Sequence, residues 1–177
     1  MAGEHLQAQA RRVVAGLDAD GKSTIVIDEI TKTRVATPGF TVCDLWQLDH
    51  LPSGVDDDDT LGGEVALDPP ASGLVFRQTT FPPDSEWDLA AGYADALAAM
   101  DGSDAYREDD GGIAGLHQTD TIDIITVLSG ELYAVLEKSE TLLRPGDTFV
   151  QRGTKHTWRN RGDVPATIAA LMMPARR

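Results

Sequence analysis

Short β-type segments separated by tight turns fill the second half of this 177-residue chain, and this spacing is what most limits its fold. Segments rich in β-branched and aromatic residues alternate with turn pairs such as Ser129-Gly130 and Gly162-Asp163. Many short strands at such spacing are typical of an all-β sandwich or barrel. We predict strands at 116–128, 131–137, 141–143, 148–151, 156–160 and 166–172.

The first part of the chain extends the β pattern. The pair Asp20-Gly21 separates strand-like runs at 11–14 and 24–27, which predicts a hairpin. Two further strands are predicted at 40–48 and 74–81, with a loop over 51–70 between them. We therefore expect a β-hairpin extension and acidic loop over residues 1–69 and a barrel over 70–177, together forming one structural domain.

One segment interrupts this pattern. Between 87 and 100, apolar residues recur at helical spacing, namely Leu89, Tyr93, Ala96, Leu97 and Met100. We predict an inserted helix of about three turns, with Ser85 and Asp88 forming a capping box at its start. The helix either packs against the barrel or closes its mouth through Tyr93 and Met100.

Charge and composition exclude several classes of partner. The net charge is −14, with 29 acidic and 15 basic residues, so the surface repels nucleic acid. No apolar run approaches the roughly 20 residues of a membrane span, and the N-terminal residues lack a signal-peptide pattern. We expect a cytoplasmic protein with no membrane partner. The single cysteine, Cys43, is expected to be a small buried side chain, and the run Asp56 to Asp59 a solvated loop.

Few side chains of this chain are good metal ligands of the imidazole or thiol type. The chain has four histidines. We expect His5 in a frayed terminal segment and His50 in a loop. The other two, His117 and His156, lie in strand-like runs and are the candidates for chemistry.

Strand alternation decides which neighbours can join these two histidines. Successive side chains of a strand point to opposite faces, so His117, Thr119 and Asp123 share one face. Asp120 lies on the other face unless a bulge shifts the register. Two imidazoles and one carboxylate, from His117, His156 and Asp123, form a set suited to Fe(II), Mn or Zn.

Two linked motifs carry a family resemblance. Gly111, His117, Asp123 and Gly130 match the spacing of the first cupin motif, and Gly146, Gly153, His156 and Asn160 match the second. The chain resembles a small single-domain cupin. The resemblance implies an all-β cupin barrel (a double-stranded β-helix, or jelly-roll-like fold) of two packed antiparallel sheets. It also implies a divalent metal (Fe, Mn or Zn) bound inside by His117, Asp123 and His156, and a homodimer.

Three departures from the motifs bear on the metal. Thr119 stands where the second histidine of the first motif belongs, Asp123 replaces a longer glutamate, and Gln151 replaces a proline. The ligand set is therefore reduced to at most two histidines and one aspartate. A metal-free cupin that binds or senses a small molecule without catalysis remains an alternative.

The resemblance implies a metal-dependent small-molecule enzyme: a dioxygenase, a decarboxylase or an isomerase or lyase. Its substrate would be an organic acid or a polyketide-like product of secondary metabolism. Arg77 is a candidate to pair with a substrate carboxylate if it points inward, although an exposed position is equally open. Trp158 and Trp46 either line the cavity or belong to the core. Thr119 either contacts a metal-bound water, as a substrate-site residue, or satisfies a backbone group.

Overall fold

The computed structural model describes residues 2–105 and 112–177. Within these residues the chain forms eleven strands and one α-helix, with three short 3-10 helices at Glu4–Gln7, Asp84–Glu86 and Ser103–Ala105. The α-helix, α1, spans Leu89–Ala98. The strands are β1 (Arg11–Leu17), β2 (Ser23–Ile30), β3 (Arg34–Ala36), β4 (Thr41–Leu48), β5 (Leu74–Phe81), β6 (Thr121–Ser129), β7 (Leu132–Leu136), β8 (Glu140–Leu143), β9 (Thr148–Arg152), β10 (His156–Arg159) and β11 (Ala166–Pro174).

Two antiparallel sheets enclose the core. One has six strands in the order β3-β4-β5-β11-β6-β9, and the other has three in the order β10-β7-β8. Strands β1 and β2 form a separate two-stranded sheet, the N-terminal hairpin. The predicted all-β fold is thus confirmed. The predicted division at residues 69 and 70 stays a prediction; β3 and β4 lie before it and pair into the six-stranded sheet.

Alternation along the strands builds the interior. On β6, Asp123, Ile125 and Val127 are buried, whereas Ile122 and Ile124, which alternate with them, are exposed. Aromatic and aliphatic side chains from both sheets and from α1 form one continuous cluster with Ile125 and Val127. Burying each large apolar side chain of this kind contributes about 1.5–3 kcal/mol to folding.

Helix α1 is present where periodicity predicts it, but its start differs. The Asp88 carboxylate accepts a hydrogen bond from the amide of Ala91 at 3.2 Å, which is the contact of an N-cap residue. Ser85 lies instead in the 3-10 helix Asp84–Glu86. The predicted capping box is therefore wrong, because the chain turns once more before the helix begins.

Other expectations have mixed outcomes. Strand β3 was not predicted, and the strand predicted from residue 116 begins at Thr121. His5 is buried, and its Nε2 lies 3.0 Å from the carbonyl oxygen of Thr37. The prediction that His5 lies in a frayed terminal segment is therefore wrong. Cys43 is buried, as predicted. Among the described residues, no helix combines the length and apolar character needed to cross a membrane.

Candidate functional site

A cavity of about 80 Å³ lies between the two sheets, beneath α1. This is several times the volume that one enclosed water needs. Most of its wall is apolar, with four aromatic side chains: Phe40, Phe81, Tyr93 and Trp158. The polar part of its wall consists of Arg77, Thr79, His117, Thr119, Asp123 and His156.

The two histidines are brought side by side by backbone pairing. The amide of His117 donates to the carbonyl of His156, and the amide of His156 donates back, both at 3.0 Å. These two hydrogen bonds form an isolated antiparallel bridge, because His117 lies outside the named strands whereas His156 begins β10. The bridge sets the two imidazole rings 4.4 Å apart, centroid to centroid.

Both imidazoles are held by the same type of contact. Nδ1 of His117 lies 2.9 Å from the carbonyl oxygen of Gly115, and Nδ1 of His156 lies 3.1 Å from that of Thr154. A carbonyl can only accept, so each Nδ1 carries the proton and donates. Each Nε2 therefore keeps a lone pair, which is the state in which histidine binds a metal.

Burial keeps these imidazoles uncharged. Desolvation lowers the pKa of His117, and it lowers the pKa of His156 to about 3 with a further contribution from the neighbouring His117 ring. Both rings are thus neutral near pH 7, and no proton must leave before Nε2 can bind an electrophile.

The carbonyl that holds His117 depends on a glycine. Gly115 has a φ of +77°, and a Cβ added there would lie 2.3 Å from the ring of Tyr93. Tyr93 is itself fixed, because its hydroxyl donates to the carbonyl of Trp158 at 3.1 Å. Helix α1 therefore packs directly on the turn that orients His117.

The carbonyl that holds His156 depends on Gln151. This buried side chain donates to the Thr154 carbonyl at 2.8 Å, and its oxygen accepts from the Thr154 hydroxyl at 2.6 Å and the Arg152 amide at 3.0 Å. Gln151 thus fixes the 151–154 turn from which His156 is oriented. The residue that departs from the family motif is a structural part of the site.

Asp123 lies on the same cavity wall with unused hydrogen-bonding capacity. Its Oδ1 is buried and has no hydrogen-bond partner. Burial raises its pKa to about 6, against the lowering effects of Thr121 and Arg77. Nevertheless, within residues 2–105 and 112–177 no three His, Cys, Asp or Glu side chains are grouped closely enough to hold a metal ion.

The predicted site residues converge on one cavity with two exceptions. Arg77, His117, Thr119, Asp123, His156 and Trp158 all line it. Trp46 is not part of this wall, and Asp120 is exposed and paired with Arg177. Thr119 contacts the hydroxyl of Thr121 at 2.7 Å. Gly111 of the first motif lies outside the described residues.

Asn160 of the second motif has a structural role. Its side-chain amide donates to the carbonyls of Phe81 and Val164, at 3.2 and 2.8 Å. Gly115, Gln151 and the Thr154 carbonyl were missed as parts of the site. Gln151 was noted only as a departure from the motif, and no spacing signal marks the carbonyls two residues before each histidine.

The all-β fold and the two motifs support a small cupin-type protein. Residues 108–173 match the family model described as "Cupin domain". The resemblance expected from the two motifs is thereby confirmed.

Among curated proteins, the chain is similar to parts of three fungal proteins. It is 50% identical over 52 residues to the Phomopsin biosynthesis cluster proteins C' and D of Diaporthe leptostromiformis, covering 29% of this chain and 28% of each relative. It is 49% identical over 45 residues to the Oryzines biosynthesis cluster protein J of Aspergillus oryzae, covering 25% of each chain. The matched segment thus spans little more than a quarter of these relatives.

Solved structures give fold-level matches. KdgF from Halomonas sp. matches with a TM-score of 0.44 and 15% identity, over 80% of this chain and 84% of that one. Ectoine synthase from P. lautus matches with a TM-score of 0.45 and 11% identity, over 82% and 72%.

Proposed function

We propose that this protein is a small-molecule enzyme whose barrel cavity binds a mainly apolar metabolite next to a divalent metal held by His117 and His156. One observation carries the proposal: two buried imidazoles stand 4.4 Å apart, each with Nδ1 engaged by a backbone carbonyl. Oriented Nε2 lone pairs in a recessed cavity are a typical arrangement of metal-binding histidines.

The residues present fit this metal in part. The two imidazoles have the tautomer and the neutral charge that metal binding requires. Asp123 adds a buried oxygen without a partner on the same wall, but it is not grouped closely with the two histidines in the described chain, so it is a candidate third ligand that substitution must test. Fe, Mn and Zn all accept two imidazoles and one carboxylate, so the choice among them belongs to the test.

When bound, the metal would supply Lewis-acid or redox chemistry to an oxygen function of the substrate. The chain's own residues bind and orient the substrate. Phe81 and Trp158 provide an apolar wall for its body, and Tyr93 and Leu97 of α1 cover the cavity and limit access of water. Thr119 places a hydroxyl beside this polar wall.

The curated relatives support a role in the metabolism of small molecules. All three are named as products of biosynthesis clusters, and the matched segment is about half identical in each. We therefore favour a polyketide-like or similar secondary metabolite as substrate. Dioxygenase, decarboxylase and isomerase or lyase chemistry all remain within this proposal. The cytoplasmic location stays a prediction.

A metal-free binding cupin is the second candidate. It is favoured by the lack of a three-ligand group among the described side chains and by the short reach of Asp123 compared with glutamate. In this case the cavity binds a small molecule without converting it.

Metal analysis of the purified full chain separates the two candidates. We expect about one Fe, Mn or Zn per chain after each metal is offered, and at least about a tenfold loss in His117→Ala and His156→Ala. His50→Ala, at an exposed histidine, is the matched control and should keep its metal. Asp123→Asn should weaken binding if the carboxylate is a ligand. Less than about one metal per ten chains after reconstitution would favour the metal-free candidate.

We also propose that the protein is a homodimer. A directly paired row of side chains crosses the outer face of five neighbouring strands: Trp46, Phe76, Leu171, Ile124 and Val150. Three of them, Phe76, Ile124 and Val150, are 37–53% exposed. A contiguous apolar patch of this kind is a frequent mark of a protein–protein interface.

A further inference from the structure

Arg77 is the only lysine or arginine on the cavity wall within the described part of the chain. A guanidinium in this place would normally predict recognition of a carboxylate, since its planar fork matches the two oxygens. Whether Arg77 can act in this way depends on what its donors already contact.

Asp44 and two backbone carbonyls hold the guanidinium of Arg77, and both of its Nη groups donate hydrogen bonds within the protein. Nε lies 2.9 Å from Oδ1 of Asp44, as an ion pair rather than a linear hydrogen bond, and one Nη lies 3.4 Å from Oδ2. The Nη groups also donate to the carbonyls of Leu67 at 3.2 Å and Ala66 at 2.8 Å. Asp44 faces Arg77 directly across the β4–β5 pair, and the two side chains are 1% and 5% exposed.

A ligand carboxylate that paired with the planar fork of Arg77 would therefore compete with Asp44 for the same charge. Displacement would leave the Asp44 carboxylate buried without a counter-charge, which is a heavily unfavourable state. Asp123, on the same wall, adds a second carboxyl group and no positive charge. The pair Asp44–Arg77 thus makes the cavity wall polar but not cationic.

We propose that Asp44 determines the specificity of the cavity: by neutralising Arg77, it makes the cavity select uncharged molecules over carboxylates. The favoured ligands carry an apolar or aromatic body and a neutral polar group, such as an amide, ketone or alcohol. This inference rests on the proposed function, because it assumes that the cavity binds small molecules. It makes organic acids less favoured as substrates, because the cavity wall offers no unpaired cation to bind their carboxylate.

Two probes of nearly equal shape test this selectivity. Phenylacetamide and phenylacetate differ in one group and in charge, and their affinities for the full chain can be compared by ligand-detected NMR titration. EDTA is present so that no metal attracts the carboxylate, and a pH of about 8 keeps phenylacetate ionised. We expect the amide to bind at least about tenfold more tightly. Equal or tighter binding of phenylacetate overturns the inference and leaves the proposed function standing. Binding of neither probe overturns cavity binding, and the selectivity with it.

Substitutions at Asp44 assign the cause. Asp44→Asn removes the charge that neutralises Arg77 and should shift the preference about tenfold toward phenylacetate. The double variant Asp44→Asn with Arg77→Gln removes both charges and should keep the preference for the amide. Asp163→Asn, at an exposed position, should change nothing. If folded Asp44→Asn keeps the original preference, the inference is overturned. Should that variant not fold, a preference for phenylacetate in the double variant overturns it instead.

Discussion

At the scale of single residues, Gln151 links a departure from the family motif to the geometry of the site. It is 1% exposed and makes three hydrogen bonds within the 151–154 turn. Gln151→Leu leaves the Thr154 hydroxyl and the Arg152 amide without this partner. We expect it to lower the free energy of unfolding by about 1–3 kcal/mol, measured by urea denaturation. Gln7→Leu, at an exposed glutamine, should change it by less than about 0.5 kcal/mol. A similar small effect at Gln151 would mean that its hydrogen bonds do not hold the turn.

Asp123 gives a pH-dependent prediction at the same scale. Its folded-state pKa of about 6 lies above its ordinary value of 3.8. The folded state therefore gains stability from the protonated carboxyl below pH 3.8, and this gain is lost as pH rises through about 6. In EDTA, Asp123→Asn should raise the free energy of unfolding at pH 8 by about 1–3 kcal/mol, and by much less at pH 4.

The comparison isolates Asp123 from the histidines. His156 has a lowered pKa and acts with the opposite sign, since its unfolded form takes up a proton below about pH 6.5 and weakens the fold. The effect of His156 is the same in wild type and in Asp123→Asn, so it cancels when their free energies of unfolding are subtracted. Asp163→Asn serves as the exposed control, and an equal stabilisation by Asp123→Asn at both pH values would contradict the prediction.

At the scale of elements, helix α1 covers the cavity and belongs to the core. Leu97 is 2% exposed and lies on the cavity wall. Leu97→Ala should lower the free energy of unfolding by about 2–4 kcal/mol, because the lost methyl groups leave a larger cavity. Leu89→Ala, in the partly exposed first turn of the same helix, should cost clearly less. Equal small losses in urea denaturation would show that α1 is not packed on the barrel.

The same scale shows what local patterns can predict. Helix α1 and most strands follow from periodicity, because a long amphipathic or alternating segment carries its own signal. Strand β3 has only three residues, which is too short for a pattern to show. The segment before Thr121 is held to its neighbour by a single bridge at His117. In both cases the nearby sequence does not show which segment will pair with it. Hydrogen bonds to residues distant in sequence decide such cases.

The candidate site was predictable to the same degree. Alternation places Thr119 and Asp123 on one inward face, and both line the cavity. Alternation does not give distances between strands, so it did not show that the three predicted ligands lack a close grouping in the described chain. Nor did alternation show that Arg77 forms an ion pair with Asp44, because that contact depends on the register between β4 and β5.

At the scale of the whole molecule, two apolar surfaces remain uncovered. One is the outer sheet face with Phe76, Ile124 and Val150; the other is the N-terminal hairpin, where Val13, Leu17, Ile25 and Ile30 are 45–57% exposed. A two-stranded sheet is marginally stable by itself in water. In the proposed twofold dimer each of these surfaces would occur twice.

Light scattering after size-exclusion chromatography tests this arrangement. Wild-type protein should elute with twice the 19.0 kDa chain mass. Ile124→Lys places a charge in the middle of the apolar row and should shift the protein to the monomer mass without unfolding it, since the side chain is already 40% exposed. Val164→Lys makes the same change in charge at a 61% exposed residue outside the row and should leave the dimer intact. A wild-type mass of one chain at about 20 µM would exclude a stable dimer, and an unchanged mass in Ile124→Lys would place the interface elsewhere.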